Sequence, residues 1–347
     1  MITKIAPSLQ PSESWQSELA RAIRDPDELL CLLNLPSSLL EPAIRSARRF
    51  PLRVTQSFLA RMEAGNPNDP LLRQVLPLAA EETLNNETQS IETPSNWGQI
   101  DPVGDTEAMA SPGLLHKYQG RVLLVSTAAC GIHCRYCFRQ YFPYQQANPL
   151  GTQLPATLAY LNQHTDVHEI ILSGGDPLSI SDNRLAMLIK QLAAIPHLKT
   201  LRIHTRLPVV LPQRLLAGEL DWLNASRLSV VMVVHINHPR EINEEFRQAI
   251  KCLQGRNITL LNQSVLLKGV NDSTNCLIEL SHKLLECGIL PYYLHQLDKV
   301  TGAAHFEVPI STGHHLIEQM RAKLPGYLVP RYVQEIAGQA AKTPLYI

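Results

Sequence analysis

The sequence has neither an excess of charge nor a long hydrophobic run. Lys and Arg together number 31, as do Asp and Glu, so the formal net charge is zero and nothing favours a nucleic-acid or membrane-surface partner. The longest apolar run, 228–236, is about half of the ~20 residues that a membrane-spanning helix needs. The N-terminus lacks the basic start, apolar stretch and cleavage site of a signal peptide. These absences predict a soluble protein of the cytoplasm.

Cysteines are few and mostly scattered. Of the seven, four lie far apart in the sequence: Cys31, Cys252, Cys276 and Cys287. In a reducing compartment we expect each of these four to be a small buried hydrophobic side chain. The remaining three lie close together in the stretch CGIHCRYC, 130–137.

The group formed by Cys130, Cys134 and Cys137 lacks the fourth cysteine of a fully protein-ligated cluster. Closely spaced thiolates suit a soft metal ion or an iron–sulfur cluster. A zinc site completed by His116 or His133 is the alternative, although no second Cys-x-x-Cys or His pair accompanies the group. The missing ligand indicates either a position filled by histidine or one left open for a substrate.

From residue 121 onward, strand-like and helix-like segments alternate. Six apolar, β-branched runs have the length of strands: 121–127, 169–175, 200–206, 228–236, 258–267 and 290–297. Amphipathic stretches typical of helices lie between several of them: 183–195, 241–255 and 275–288. Near-continuous apolar strands that alternate with helices are typical of a parallel sheet covered by helices. We therefore predict an α/β fold for this part of the chain.

The preceding residues have a different pattern. Two short helices are expected within 14–36, separated at Asp25-Pro26, and a third over 56–65. A short turn of helix is expected over 69–77. The polar stretch 79–113 has little periodicity and predicts a long surface connection.

Unusual polar residues fall at or near the carboxyl ends of the predicted strands. They are the cysteine group, the GGDP of 174–177, Arg206, His235, Asn262, Gln263 and Asp298. Active sites of (β/α) barrels lie at this rim, and doubly wound sheets bind ligands there as well. The pattern therefore predicts a site and leaves both folds open.

The cysteine spacing, with Tyr136 before the last cysteine, resembles that of the radical S-adenosylmethionine superfamily. The resemblance implies an α/β fold with a partial (β/α)6 barrel of the TIM type. It also implies a [4Fe–4S] cluster with three irons held by Cys130, Cys134 and Cys137, and the fourth left for S-adenosylmethionine. Residues assigned to this cofactor site are Tyr136, Gly174, Gly175, Asp176 and Gln263. Glycines would permit a close backbone approach to the ligand.

Longer segments resemble the lysine 2,3-aminomutase family within that superfamily. They are HKYQGRVLL (116–124), CRYCFRQ (134–140), HTRLPVVLPQR (204–214), HINHPREI (235–242), NQSVLLKGVND (262–272), PYYLHQLD (291–298) and GYLVPRYV (326–333). Three further segments resemble the members that make (R)-β-lysine for the modification of elongation factor P: DPDELLCLLNL (25–35), HQLDKVTGAAHF (295–306) and AAKTPL (340–345). The implied reaction converts L-lysine to (R)-β-lysine.

The resemblance to the aminomutases also assigns roles to single residues. Lys342, in AAKTPL, would be the catalytic lysine that carries pyridoxal 5′-phosphate. The cations assigned to the cofactor phosphate are Lys117, Arg121 and Arg206. Arg139 would clamp the substrate carboxylate. Asp298 and Glu335 would bind the ε-ammonium of lysine, although relatives that act on free lysine usually have Asp at the second position.

Domains and partners follow from the same resemblance. The chain would divide into an N-terminal helical region and connection (1–115), a radical S-adenosylmethionine core (116–300) and a C-terminal helix with the cofactor lysine (301–347). Expected partners are L-lysine, an external electron donor such as flavodoxin, and elongation factor P with its lysine ligase through a functional link. We expect no zinc, because Ser273 stands where relatives place a zinc-ligating cysteine. Any homo-oligomer would therefore use another surface.

Two alternatives remain at this point. A metabolic aminomutase would act on free lysine or glutamate outside elongation factor P modification. A non-catalytic iron–sulfur or zinc protein would use the cysteines alone.

Overall fold

The computed structural model describes residues 14–83, 97–147 and 149–345. Within these ranges ten strands form one sheet in the order of the sequence. The strands are β1 (Met109–Ser111), β2 (Leu114–Tyr118), β3 (Arg121–Thr127), β4 (Glu169–Gly174), β5 (Thr200–Thr205), β6 (Ser229–His235), β7 (Ile258–Val265), β8 (Leu290–His295), β9 (Arg331–Gln334) and β10 (Thr343–Pro344).

Helices precede the sheet and connect its strands. Those before the sheet are α1 (Trp15–Ala20), α2 (Pro26–Leu32), α3 (Leu40–Arg49), α4 (Gln56–Leu59) and α5 (Ala80–Thr83). Those within it are α6 (Leu154–Gln163), α7 (Asp182–Ala193), α8 (Leu207–Val210), α9 (Gln213–Leu216), α10 (Glu244–Lys251), α11 (Thr274–Glu286) and α12 (Ile310–Lys323).

Strands β3 to β9 are parallel, whereas β1, β2 and β10 pair antiparallel with their neighbours. Over the described ranges β1 and β10 are the two edges of the sheet, so the barrel is open. The predicted partial (β/α)6 barrel is confirmed, because the six predicted strands are β3 to β8. In the structure β9 adds a seventh parallel strand and β10 turns back along it.

The connecting helices cover the outer face of the sheet because each has one apolar side. In α7 the buried residues are Leu185, Leu188, Ile189 and Leu192, which recur at the i, i+3, i+4, i+7 spacing of a single helix face. These side chains belong to the same core as Ile170, which lies in β4. The helical stretches predicted at 183–195, 241–255 and 275–288 correspond to α7, α10 and α11.

The N-terminal helices share this core instead of forming a separate one. Asp25 caps α2 by accepting a hydrogen bond of 3.0 Å from the Asp27 amide, which confirms the break at Asp25-Pro26. Leu29 and Phe58 of this region pack in the same hydrophobic cluster as the strands. The helix predicted over 56–65 is a single turn, α4, and α3 was not predicted.

The connection predicted over 79–113 is only partly a loop. It contains α5 and β1, and 84–96 lie outside the described residues. The division of the chain at residues 115 and 300 stays a prediction. No helix in the described ranges is long and apolar enough to cross a membrane.

The prediction of burial for the four scattered cysteines is mostly wrong. Only Cys287 is buried; Cys252 and Cys276 are partly exposed, and Cys31 is exposed. Cys31 lies on the outer face of α2, whose inner face presents Leu29 and Leu30 to the core. All four are free thiols.

Candidate active site

A cavity of about 290 Å³ lies at the carboxyl ends of the parallel strands. Every site residue predicted from the sequence lines it: Lys117, Arg121, Cys130, Cys134, Tyr136, Cys137, Arg139, Gly174, Gly175, Asp176, Arg206, Gln263, Asp298, Glu335 and Lys342. They come from β2, from the start of β3 and the loop after it, from the ends of β4, β5, β7 and β8 or the residues that follow, and from the β9–β10 hairpin. The fold therefore brings together residues separated by more than half of the chain.

The three clustered cysteines lie in the loop that follows β3, and all are free thiols. Burial, followed by the charge of Cys134, raises the pKa of Cys137 to about 12. Burial also raises the pKa of Cys130 well above its usual value. Such thiols ionise when a metal replaces their protons, so the donor set fits a bound cluster.

The side chains of this loop are not arranged to coordinate a single metal ion. In the described ranges no three His, Cys, Asp or Glu side chains converge to hold one metal ion; thiolates that bind separate irons of one cluster need no such convergence. Neither histidine of the zinc alternative lines the cavity. The ring of His116 is hydrogen-bonded to the Tyr160 hydroxyl at 2.7 Å, and His133 Nδ1 donates to the Pro51 carbonyl at 2.7 Å.

The glycines after β4 have a packing role in addition to the ligand role expected from the sequence. Gly174 has φ +119, and a Cβ there would lie 2.6 Å from the Thr127 carbonyl oxygen. A Cβ on Gly175 would lie 2.4 Å from the Ala129 carbonyl oxygen. The Gly175 amide donates to the Thr127 carbonyl at 2.6 Å. The glycines thus let the end of β4 lie against the backbone that leads into the cysteine loop.

The carboxylate of Asp176 receives its hydrogen bonds from other residues of the protein. Its carboxylate accepts from the Thr205 hydroxyl at 2.7 Å and from the amides of Arg206 and Leu207 at 2.6 and 2.8 Å. Burial nevertheless raises the pKa of Asp176. The structure therefore gives this residue an internal contact set that joins the ends of β4 and β5.

Arg206 has different contact partners from the other two cations predicted to bind a phosphate, although all three line the cavity. Its guanidinium contacts Gln74, Glu241, Tyr136 and the Sγ of Cys134. Lys117 instead pairs with Asp105, and the Arg121 guanidinium lies 4.5 Å from the centre of the Tyr118 ring. The structure thus places Arg206 in contact with Cys134, and the assignment of the three cations to a phosphate stays a prediction.

Charged side chains form a continuous series across the cavity. The ammonium of Lys342 pairs with Glu335, whose other oxygen lies 3.1 Å from Lys117. Lys117 lies 2.5 Å from Asp105, which in turn lies 2.6 Å from Nε of Arg139. We call Lys342, Glu335, Lys117, Asp105 and Arg139 the charge chain. Each anion lies between two cations, so buried charge is compensated throughout.

The two carboxylates assigned to the ε-ammonium have opposite pKa shifts. Burial works against ionisation of Glu335, but Lys342 and Lys117 hold its pKa well below the usual value. Burial, and next the charge of Glu335, raises the pKa of Asp298 to about 7. The environment of Asp298 therefore disfavours its ionised form before any cationic ligand arrives.

Sequence reasoning missed several residues of the cavity wall. Asp105 had no signal, because it lies in a stretch without periodicity. His204 and His295 also line the cavity, and their Nε2 atoms are buried without a hydrogen-bond partner in the described ranges. Burial lowers the pKa values of both well below the usual range. The alternation of apolar and polar residues in TLRIHT of β5 could have indicated His204, since it faces away from the core side of the strand.

His235 was noted at the end of its strand but received no role. Burial lowers its pKa to about 3, so the ring is neutral. Gln263, assigned to the cofactor site, donates from Nε2 to Nε2 of His235 at 2.7 Å.

Comparison with known proteins gives the class first. Residues 124–279 match the model of the Radical SAM superfamily, and the open barrel with three cysteines after its first parallel strand agrees with that class. The protein is a radical S-adenosylmethionine enzyme, whose cofactors include a [4Fe–4S] cluster and S-adenosylmethionine.

Whole-chain relatives then give the family. The chain is 45% identical over 334 residues to an L-lysine 2,3-aminomutase from Escherichia coli (strain K12), covering 96% of this chain and 94% of the relative. Identity to an L-lysine 2,3-aminomutase from Haemophilus influenzae is 45% over 340 residues, 97% of each chain. An L-lysine 2,3-aminomutase from Acetoanaerobium sticklandii is 36% identical over 95% of this chain and 78% of its own. This chain belongs to the lysine 2,3-aminomutase family.

Membership makes the protein an isomerase and decides against the non-catalytic alternative. Enzymes of this family also depend on pyridoxal phosphate. A radical SAM methyltransferase from Sphaerobacter thermophilus is 18% identical over 63% of this chain and 68% of its own, with a TM-score of 0.45, too low to bear on the argument.

Proposed function

We propose that the protein converts L-lysine to (R)-β-lysine with pyridoxal phosphate attached to Lys342, and that the product serves the modification of elongation factor P in the cytoplasm. The observation that carries the proposal is the position of Lys342. Although it lies near the C-terminus, pairing of Thr343 with Gln334 holds it beside the cavity that the cysteines line.

Two cations that share the cavity with Lys342 suit a phosphate-bearing cofactor. Lys117 and Arg121 both line the cavity, and the short sequence from one to the other forms the turn between β2 and β3. A lysine offers a point charge, whereas an arginine offers a fork that matches two phosphate oxygens. When bound, pyridoxal phosphate supplies an electron sink for the migrating amino group.

Arg139 is pre-oriented to receive a carboxylate. Asp105 holds its Nε at 2.6 Å, and the Ser173 hydroxyl accepts from Nη1 at 3.0 Å. These contacts fix the plane of a buried guanidinium, so little conformational entropy is lost when a second carboxylate binds. The substrate carboxylate is the group that such an arginine would orient.

At the other end of the substrate, Asp298 is the better receptor for the ε-ammonium. Glu335 already pairs with two ammonium groups, whereas the raised pKa of Asp298 shows that its charge is poorly compensated. A cation at this position would restore its charge. Glutamate, with an acidic side chain, would oppose Asp298, and this disfavours the glutamate alternative.

The link to elongation factor P is supported by the segments at 25–35, 295–306 and 340–345. The runner-up is an aminomutase that acts on free lysine outside this pathway.

Product analysis tests the proposal. The purified enzyme, reconstituted anaerobically with iron, sulfide, S-adenosylmethionine and pyridoxal phosphate, should form (R)-β-lysine from L-lysine, as resolved by chiral chromatography. The product should then be attached to elongation factor P by its lysine ligase. An (S) product, or a product that the ligase does not use, would favour the runner-up.

Covalent labelling tests the role of Lys342. Borohydride should fix pyridoxal phosphate to the wild-type chain at Lys342, as located by peptide mass spectrometry, and should leave the Lys342→Ala variant unlabelled. Exposed Lys323 at the end of α12 is the matched control: Lys323→Ala should be labelled like the wild type. Labelling of another lysine in the wild-type protein would refute this placement.

A further inference from the structure

Arg206 contacts one of the three cysteines directly. Its Nη1 lies 2.9 Å from Sγ of Cys134 and also donates to the hydroxyl of Tyr136. The side chain is buried, with 7% of its surface exposed. A buried guanidinium at this distance donates a charge-assisted hydrogen bond to the sulfur, whether as a thiol or as a thiolate.

The guanidinium is held in place by two further residues. Nη2 of Arg206 donates to Oε1 of Gln74 at 2.6 Å and to Oε2 of Glu241 at 2.9 Å. Glu241 is fully buried, and its other oxygen accepts from Gln74 Nε2 at 3.1 Å and from the Asn237 amide at 3.0 Å. The arginine therefore cannot turn away from Cys134 without breaking several buried bonds.

We propose that Arg206 sets the reduction potential of the cluster held by Cys130, Cys134 and Cys137, and that Glu241 opposes this effect. Reduction adds one electron from an external low-potential donor, so the cluster and its thiolates gain one negative charge and no proton is transferred. A cation bonded to one thiolate stabilises that added charge, and hydrogen bonds to cluster sulfurs are a known determinant of potential. Glu241 is an anion next to the same cation and partly cancels its field.

This inference concerns Arg206 as a positioning residue for the cluster and is independent of the lysine substrate and of Lys342. It also gives the N-terminal region a role at the site. Gln74 lies between α4 and α5 in the sequence. Its side-chain Oε1 accepts hydrogen bonds from Nη2 of Arg206 and, at 3.0 Å, from Nδ2 of Asn237.

Removing the charge of Arg206 and removing that of Glu241 should shift the reduction potential of the cluster in opposite directions. A structural defect would not produce this pattern. In the reconstituted enzyme, Glu241→Gln should make the potential less negative. The double variant Arg206→Leu with Glu241→Gln should make it more negative than Glu241→Gln alone by at least tenfold in the equilibrium constant for reduction, or about 59 mV for a one-electron couple. The measurement is a redox titration followed by electron paramagnetic resonance, with iron content determined on the same samples.

A matched control is the buried pair of Arg214 and Asp182, at 2.6 Å. The other polar partners of Arg214 are the carbonyls of Leu178 and Ile180, not a cysteine. The double variant Arg214→Leu with Asp182→Asn also removes one arginine and one carboxylate charge, and it should leave the reduction potential of the cluster unchanged. Equal potentials for the Arg206 double variant and Glu241→Gln would overturn the proposal. If the double variant does not hold iron, Glu241→Gln decides alone: no shift, or a shift to more negative values, would overturn it.

Discussion

At the scale of single residues, Asp298 has the most consequential electrostatics. If its carboxylate pairs with the ε-ammonium of lysine, Asp298→Asn leaves a buried cation partly uncompensated, which typically costs ~3–5 kcal/mol. Since each ~1.4 kcal/mol is a factor of ten, we expect kcat/KM for lysine to fall by roughly two to three orders of magnitude. Cluster iron and bound pyridoxal phosphate, measured on the same samples, should stay at wild-type levels. A near-wild-type rate would show that the ammonium is not recognised there.

The same residue predicts a pH dependence. The pKa of Asp298 is raised to about 7, and only its ionised form attracts an ammonium. Below pH 7 the ionised fraction falls about tenfold per unit, so kcat/KM for lysine should fall as pH decreases through neutrality. Glu335, whose pKa is held low, stays ionised over this range. In Asp298→Asn this limb of the pH profile should disappear; its persistence would assign it to another group.

At the scale of elements, the cysteine loop is anchored to the N-terminal helices. Arg135, which follows Cys134, is almost fully buried and bonds through Nε and Nη2 to Glu81 of α5, at 2.8 and 2.5 Å. Phe50, at the end of α3, accepts from the same guanidinium at 2.6 Å through its carbonyl. Through these contacts α3 and α5 hold the cysteine loop in place, a role that their own sequences do not indicate.

Breaking this anchor should loosen the loop. Glu81→Gln leaves the buried Arg135 without its counter-ion, and such a loss costs ~3–5 kcal/mol. We expect a melting temperature lowered by several degrees and less iron per chain after reconstitution. Glu82→Gln is the matched control, because Glu82 is part-exposed and pairs only loosely with Arg45 at 3.4 Å. Equal behaviour of the two variants would show that the anchor does not support the loop.

The elements that could be predicted from the sequence are those whose pattern is strong and local. Strands β3 to β8 are runs of strand length rich in apolar and β-branched residues, and α7 has a regular apolar face, so both were predicted within a few residues. By contrast, α3 packs mainly through Ala43 and Ser46, which carry little hydrophobic signal. In the site, motif resemblance identified residues of the rim, but Asp105, Gln74 and Glu241 act through partners far away in the sequence, and no local pattern marks such pairs.

At the scale of the whole molecule, we expect the hydrophobic core, and not the cluster, to hold the fold together. The main hydrophobic core runs from Trp15 to Ile289 through the N-terminal helices and the barrel, and the cysteine loop contributes Ile132 to it. We therefore expect the iron-free protein, prepared with a chelator, to keep its far-ultraviolet circular dichroism and a cooperative thermal transition. Loss of that transition on chelation would mean that the metal, not the core, holds the barrel together.

The open barrel exposes two sheet edges, and their lengths have a consequence for self-association. An unpaired edge can template the addition of a strand from another molecule, a route to aggregation. Here one edge, β1, has three residues and the other, β10, has two. The second residue of β10 is Pro344, which has no amide hydrogen to donate. Over the described residues, Pro344 and the shortness of both edge strands therefore leave little edge for another strand to pair with, and we expect the open sheet to resist edge-to-edge polymerisation.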